Sequence, residues 1–132
     1  KDEEWETVLT TMPFYRQAKG CVDAEGYPYM GALWYRMEVK VPKVAKGDAV
    51  FLYIPTIETE AWVWVNGKFV GHRPHRESYE RPNQFDMEVT KALQPGQRNT
   101  VAIRVHTGLN SAAMADGMVS RAFLYIPQAT GK

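Results

Sequence analysis

The most restrictive feature of the chain is Asn66-Gly67, set between Ala61-Trp62-Val63-Trp64-Val65 and Lys68-Phe69-Val70-Gly71. A two-residue loop joining antiparallel strands in a type I′ turn needs φ > 0 at both central positions, which Asn-Gly supplies at little steric cost. Side chains alternate along a strand, so with Val63 and Val65 toward the core, Trp62 and Trp64 face the other way. The same period of two runs from Leu33 to Val41, where odd positions are apolar and Arg36, Glu38 and Lys40 fall opposite. Pro42 ends that run. The pattern recurs at Phe85, Met87 and Val89 against Asp86 and Glu88, and at Val101, Ile103 and Val105 against Ala102, Arg104 and His106. A continuous apolar run, Ala49 to Ile54, closes at Pro55, and a last strand covers 122–126. Only Thr90 to Leu93 reads as helical, with Thr90 as N-cap and Pro95-Gly96 stopping it after one turn.

Many short strands and almost no helix predict an all-β fold, an antiparallel β-sandwich forming a single domain over residues 1–132. A chain of 132 residues with 45% hydrophobic residues can bury one proper core. It is too short for a (β/α)₈ barrel, which takes about 250 residues. No apolar run approaches the ~18 residues of a membrane-spanning helix. Sixteen basic against fifteen acidic residues give a net charge of +1, so no global field attracts nucleic acid or an anionic membrane, and neither is an expected partner. The single Cys21 excludes an internal disulfide and four-cysteine zinc sites. One cysteine leaves the compartment open; a periplasmic or secreted parent is the expectation. The chain begins at Lys1 rather than Met, as expected of a fragment of something longer.

If successive strands reverse direction, their ends alternate between two ends of the sandwich. Short connections (43–48, the Asn66-Gly67 hairpin and 90–97) then share one end, B. The long connections, 19–31, 55–60, 72–84 and 107–118, share the other, A. Extended loops on a rigid sandwich are where binding groups usually sit. A ring beside polar side chains suits a sugar, the ring packing on C–H faces while the polar groups bond hydroxyls. The candidate carbohydrate contacts are therefore Tyr29, Trp34 and Trp62 as stacking rings, with Arg73, His75, Tyr79, Asn110 and Asp116 as hydroxyl partners. In the competing reading the indoles are covered by a neighbouring strand, the N-terminal segment or another domain.

Sharper chemistries find less support. Glycoside hydrolysis needs two carboxylates facing one sugar; Asp86 with Glu88, and Glu58 with Glu60, read instead as solvated strand edges. His72-Arg73-Pro74-His75 offers a His-x-x-His spacing without a helix to align it or a third ligand. A structural calcium could draw on Asp23 and Asp116 but lacks a clustered acidic loop, so no metal or cofactor is expected. No Gly-x-Ser-x-Gly elbow occurs.

Several pieces together resemble the sugar-binding (jelly-roll, galactose-binding-like) domain of family 2 glycoside hydrolases, the β-galactosidase and β-glucuronidase group. They are Trp34-Tyr35-Arg36 running into Val41-Pro42, Glu60 to Gly71 through the Val65-Asn66-Gly67-Lys68 hairpin, Phe85-Asp86 through Val89-Thr90 and Leu93, then Pro95-Gly96, Asn99 to Val105, and Gly117 to Tyr125. The resemblance implies a non-catalytic sandwich attached to a catalytic barrel, with segments 19–31 and 107–118 reaching toward the active site. The expected function is a carbohydrate-associated module of a glycoside hydrolase. It would bind sugar weakly or complete a neighbouring catalytic site through the A-end loops. The alternative is a purely structural sandwich that docks other domains and has no ligand of its own. The expected partners are a carbohydrate or the adjacent catalytic domain.

Overall fold

A computed structural model describes residues 3–12, 17, 24–26, 31–57, 59–76, 84–107, 117–118 and 120–128. Every regular element among them is a strand: β1 (Gly31–Lys40), β2 (Phe51–Ile54), β3 (Thr59–Val65), β4 (Lys68–Arg76), β5 (Phe85–Glu88), β6 (Arg98–Thr107) and β7 (Phe123–Tyr125). They form a four-stranded sheet ordered β1-β6-β3-β4 and a three-stranded sheet ordered β5-β2-β7. All pairings between these strands are antiparallel, as the sequence pattern requires.

Alternation decides which face of each strand is buried. On β3, Ala61, Val63 and Val65 are fully buried while Trp62 and Trp64 are only half-buried. Each buried valine contributes about 1.5–3 kcal/mol, and a one-residue slip would turn all of them out to solvent. Val101, Ile103 and Val105 of β6 join them from the same sheet. Leu52, Ile54, Phe85 and Met87 complete the core from the other sheet. The hairpin turns as its residues demand, with φ of 51° at Asn66 and 77° at Gly67.

Two elements depart from the sequence reading. The segment 72–84 was expected to be loop, yet β4 continues to Arg76. It does so through two irregularities: Val63 pairs Gly71 while Trp64 pairs Phe69, and Ala61 pairs Arg73 while Thr59 pairs Arg76. Each inserts one extra residue into β4, which breaks the simple alternation that sequence periodicity detects. Pro74 is tolerated because β4 is an edge strand, where a missing N–H need not interrupt the ladder. The second departure is 90–93. Val89 O accepts from Ala92 N (2.9 Å) and Leu93 N (3.1 Å), which makes one turn and no helix. Thr90 is not an N-cap: its Oγ1 accepts from Val50 N at 2.8 Å and holds the adjoining β2 segment instead.

The B end is fixed by a polar network. Asn99, 1% exposed, accepts at Oδ1 from Asn66 Nδ2 (2.8 Å) and Gln94 N (2.7 Å). Its Nδ2 donates to Gln94 O and Gln97 O, both at 3.0 Å. Asn66 also donates to Ala92 O (2.8 Å) and accepts from Thr100 N (3.0 Å). The hairpin, the 90–97 turn and the start of β6 are thus one unit.

Candidate functional site

The register gathers the A ends of the four-stranded sheet. Gly31 pairs Thr107, Glu60 pairs His106, and Thr59 pairs Arg76, so the connections entering or leaving β1, β6, β3 and β4 start from a common end. Residues 55–57 cross there between the sheets and are tied on several sides. Ile57 bridges Met118. Ser120 Oγ accepts from Thr56 N (2.9 Å) and donates to Thr56 O (3.0 Å). Tyr35 Oη accepts from Met118 N at 3.2 Å. Sequence reasoning missed these ties, because a hydroxyl in a strand or loop carries no pattern that names its distant partner.

The predicted sugar contacts separate into distinct places. Arg73 is buried, and its guanidinium donates to Ile57 O. That contact braces the 55–57 crossing from inside rather than presenting a donor to a ligand. His75 is exposed near the A end of β4. Trp34 and Trp62 lie on the outer face of the four-stranded sheet. Tyr29, Tyr79, Asn110 and Asp116 lie outside the described residues, as do Asp23 and Glu58.

On that outer face the register sets one row across all four strands: Trp34 of β1, Arg104 of β6, Trp62 of β3 and His72 of β4. His72 stacks on Trp62 with ring centroids 4.9 Å apart and planes 15° from parallel. The Arg104 guanidinium carbon lies 4.5 Å from the Trp62 ring centroid, a cation–π contact. Strands β6 and β4 flank β3, so Trp62 is contacted by a side chain from each neighbouring strand. The expectation that Trp62 stacks on a sugar therefore meets a ring already engaged by His72 and Arg104. Glu60 completes the row's electrostatics, its Oε1 2.6 Å from His72 Nε2. The next row holds Arg36, Ala102, Trp64 and Phe69. Trp64 contacts Trp34 at 5.1 Å and Phe69 edge-on at 5.6 Å. Trp34 and Phe69 stay 49% and 57% exposed, far more than large rings usually are. Arg104 and Phe69 were not singled out from sequence; Arg104 occupied an ordinary polar strand position, and Phe69 faces outward because the two-residue turn pairs it with Trp64.

Beside Trp34 runs the N-terminal segment. Residues Trp5, Thr7 and Val8 line a cavity of ≈ 290 Å³ with Trp34, Tyr35 and Met118. The N-terminal segment thus faces Trp34 across this cavity. Among the described residues no group of three or more His, Cys, Asp or Glu side chains could hold a metal ion. Asp86 and Glu88 are exposed on β5, Asp86 accepting from Tyr125 Oη at 2.8 Å.

A family model described as Beta-galactosidase second all-beta domain matches residues 7–109. The chain belongs to this family. As a member of the β-galactosidase second all-β domains, it is an accessory β-domain of the family 2 glycoside hydrolase group, and relatives and folds agree. It is 30% identical over 111 residues to a β-glucuronidase of Formosa agariphila, covering 80% of this chain and 11% of that protein. It is 31% identical over 97 residues to a β-glucuronidase of Paenibacillus borealis, covering 74% of this chain and 15% of that protein. The chain thus spans between a tenth and a sixth of the length of these curated relatives. A glycosyl hydrolase family 2 member from Bacteroides cellulosilyticus superposes with a TM-score of 0.75 at 21% identity, over 96% of this chain and 17% of that one. That likeness carries the fold alone: the all-β sandwich of this domain family.

Proposed function

We propose that this domain serves a family 2 glycoside hydrolase without performing the chemistry, its A end contacting sugar weakly or completing the catalytic site of a neighbouring domain. The observation that carries this reading is the convergence of the A ends of β1, β3, β4 and β6, which launches the connections 19–30, 55–58, 77–84 and 108–118 from one side of a rigid sheet. The parent would be a glycosidase acting on β-galactosides or β-glucuronides, in keeping with the curated relatives. Arg73, Tyr35 and Ser120 then act as bracing that holds the A end in shape, and His75 is a polar group within reach of a ligand there.

Titration of the chain with galactosides, glucuronides and plant or algal oligosaccharides, followed by amide chemical shifts, tests this. Saturable shifts confined to Gly31, Glu60, His75 and Arg76 support sugar contact at the A end. A second reading, a purely structural docking module, draws on the exposed rings of Trp34 and Phe69. It predicts silence across the glycan panel and loss of parent-enzyme assembly when those two rings are truncated.

A further inference from the structure

The outward face of the three-stranded sheet carries chemistry that neither the A end nor the Trp62 row uses. Alternation leaves six positions on it: Asp86 and Glu88 of β5, Phe51 and Tyr53 of β2, and Phe123 and Tyr125 of β7. The residues between them, Leu52, Met87 and Leu124, belong to the core or pack against it. Four of the six outward side chains are aromatic and the other two are carboxylates. A sheet face left to water carries polar groups at most such positions. The register sets the six in two rows, Glu88-Phe51-Tyr125 and Asp86-Tyr53-Phe123. One bond shapes this face: Tyr125 Oη donates to Asp86 Oδ2 at 2.8 Å, from one edge strand to the other. Two strand spacings, about 9.6 Å, separate those strands, so the phenol lies across β2 rather than standing off the sheet. It contacts Phe51 at 5.6 Å between centroids and Tyr53 edge-on at 6.5 Å.

Tyr125 nevertheless stays 38% exposed, and Phe123, two residues before it, 51%. The face thus offers two open rings whose Cα atoms lie about 6.6 Å apart along β7. A pyranose packs its C–H face on such a ring, and a ring already fixed in orientation loses little freedom when a ligand arrives. On β2, β5 and β7 and within two residues of their ends, the charged side chains are Asp86, Glu88 and Arg121, a net charge of −1. Asp86 accepts one bond and keeps further lone pairs, while Glu88 is exposed and has no hydrogen-bond or ion-pair partner among the described residues. Ionised carboxylates accept only, so they suit hydroxyl donors and repel a further carboxylate. A protein surface seated here would have to desolvate both carboxylates, whereas a glycan supplies hydroxyls and leaves them open to water. We propose that this face binds a neutral oligosaccharide, adjacent pyranose units stacked on Tyr125 and Phe123 with hydroxyls donating to Asp86 and Glu88. The site is a sheet face distinct from the A-end connections and goes beyond the function proposed above.

The test titrates the chain with β-linked glucose and galactose oligosaccharides and with their hexuronate counterparts, which differ only at C6, while amide shifts and tryptophan fluorescence are followed. Neutral oligosaccharides are expected to saturate with shifts at Tyr53, Glu88, Phe123, Leu124 and Tyr125. Tryptophan fluorescence should stay flat, because Trp34, Trp62 and Trp64 all belong to the other sheet. Hexuronates should bind about threefold more weakly, a gap that salt narrows and that Glu88→Gln also narrows. Phe123→Ala and Tyr125→Leu should each weaken neutral binding about three- to tenfold, the loss of one stacked ring. Phe123 is half exposed and Tyr125→Leu keeps apolar bulk beside Phe51, so unchanged urea midpoints will show that both variants fold. No saturable binding of neutral sugars, hexuronates bound as tightly as neutral sugars, or an affinity unaltered by both ring variants overturns the proposal. Shifts confined to the A end also overturn it while supporting the separate A-end reading; shifts on this face with a silent A end do the reverse.

Discussion

Replacing Asn99 tests whether the B end is held by one side chain. Asn99 uses all of its amide capacity: two acceptor bonds at 2.7 and 2.8 Å and two donor bonds at 3.0 Å, at 1% exposure. A net intramolecular hydrogen bond contributes about 1 kcal/mol, and a partner left buried without one costs more. Gln94 and Gln97 are exposed, so water can reach part of what Asn99→Ala releases, whereas Asn66 is half-buried. Asn99→Ala should therefore cost about 3 kcal/mol, between full rehydration and full orphaning. For a domain of this size that lowers Tm by roughly 10 °C. Asn99→Asp is the sharper variant. It keeps the two acceptor bonds but turns an NH₂ that faces two carbonyls into an oxygen that repels them, and it buries a charge. At neutral pH it should be less stable than Asn99→Ala. The introduced carboxyl would have its pKa raised in the folded state above the unfolded value of about 3.9. The folded chain then holds the proton more tightly, so the penalty is full above the folded pKa and is relieved as pH falls toward the unfolded one. Urea unfolding followed by tryptophan fluorescence at neutral and acidic pH reads both effects, with m unchanged. A loss under about 1 kcal/mol for Asn99→Ala, or an Asn99→Asp penalty that ignores pH, would refute the network's role.

Three further outcomes follow from local geometry. A Cβ at Gly71 would meet Met87 Sδ at 2.9 Å and Phe85 Cζ at 3.6 Å; Gly71→Ala should cost only about 1 kcal/mol because the methionine can swing away, and Gly71→Val about 2–3 kcal/mol, both read by urea midpoints. Thr59 has φ of 48°, a region that opposes a β-branched residue, and its buried Oγ1 has no hydrogen-bond partner among the described residues. Thr59→Gly should leave stability equal or higher by up to about 1 kcal/mol despite glycine's entropy cost; a loss beyond that size contradicts the strain. Tyr125 donates to the Asp86 carboxylate, a bond that favours the protonated phenol and raises its pKa above 10.0. Asp86→Asn should bring the tyrosinate absorbance of Tyr125 to lower pH, whereas an unmoved titration would show that the bond does not persist in solution.

How much of this was legible in the sequence depends on whether a signal is local. Periodicity placed β1, β3, β5 and β6 because one face of β3, β5 and β6 is buried and that of β1 partly so, and Asn66-Gly67 named its own turn. Those are constraints that a residue imposes on its neighbours. The inward course of Arg73 was not legible, because it depends on the extra residues that β4 inserts opposite β3. Thr90 shows the same limit from the other side: a hydroxyl at the head of Lys91-Ala92-Leu93 signals an N-cap, but here Val50 N captured it. Of the candidate site, the tryptophan faces were legible and the clasp around Trp62 was not, since Arg104 and His72 come from strands 42 and 10 residues away.

The outer face makes a general point about where recognition belongs on such a sheet. Much of the aromatic and charged chemistry of its A-half is spent internally. Trp62 is stacked by His72 and capped by Arg104, and Glu60 is bonded to His72. Each contact is worth well under 2 kcal/mol, but together they leave little for a ligand to gain by replacing them. The bulge at Val70 turns His72 outward on the same face as Phe69, so that β4 packs against both outward-facing tryptophans of β3.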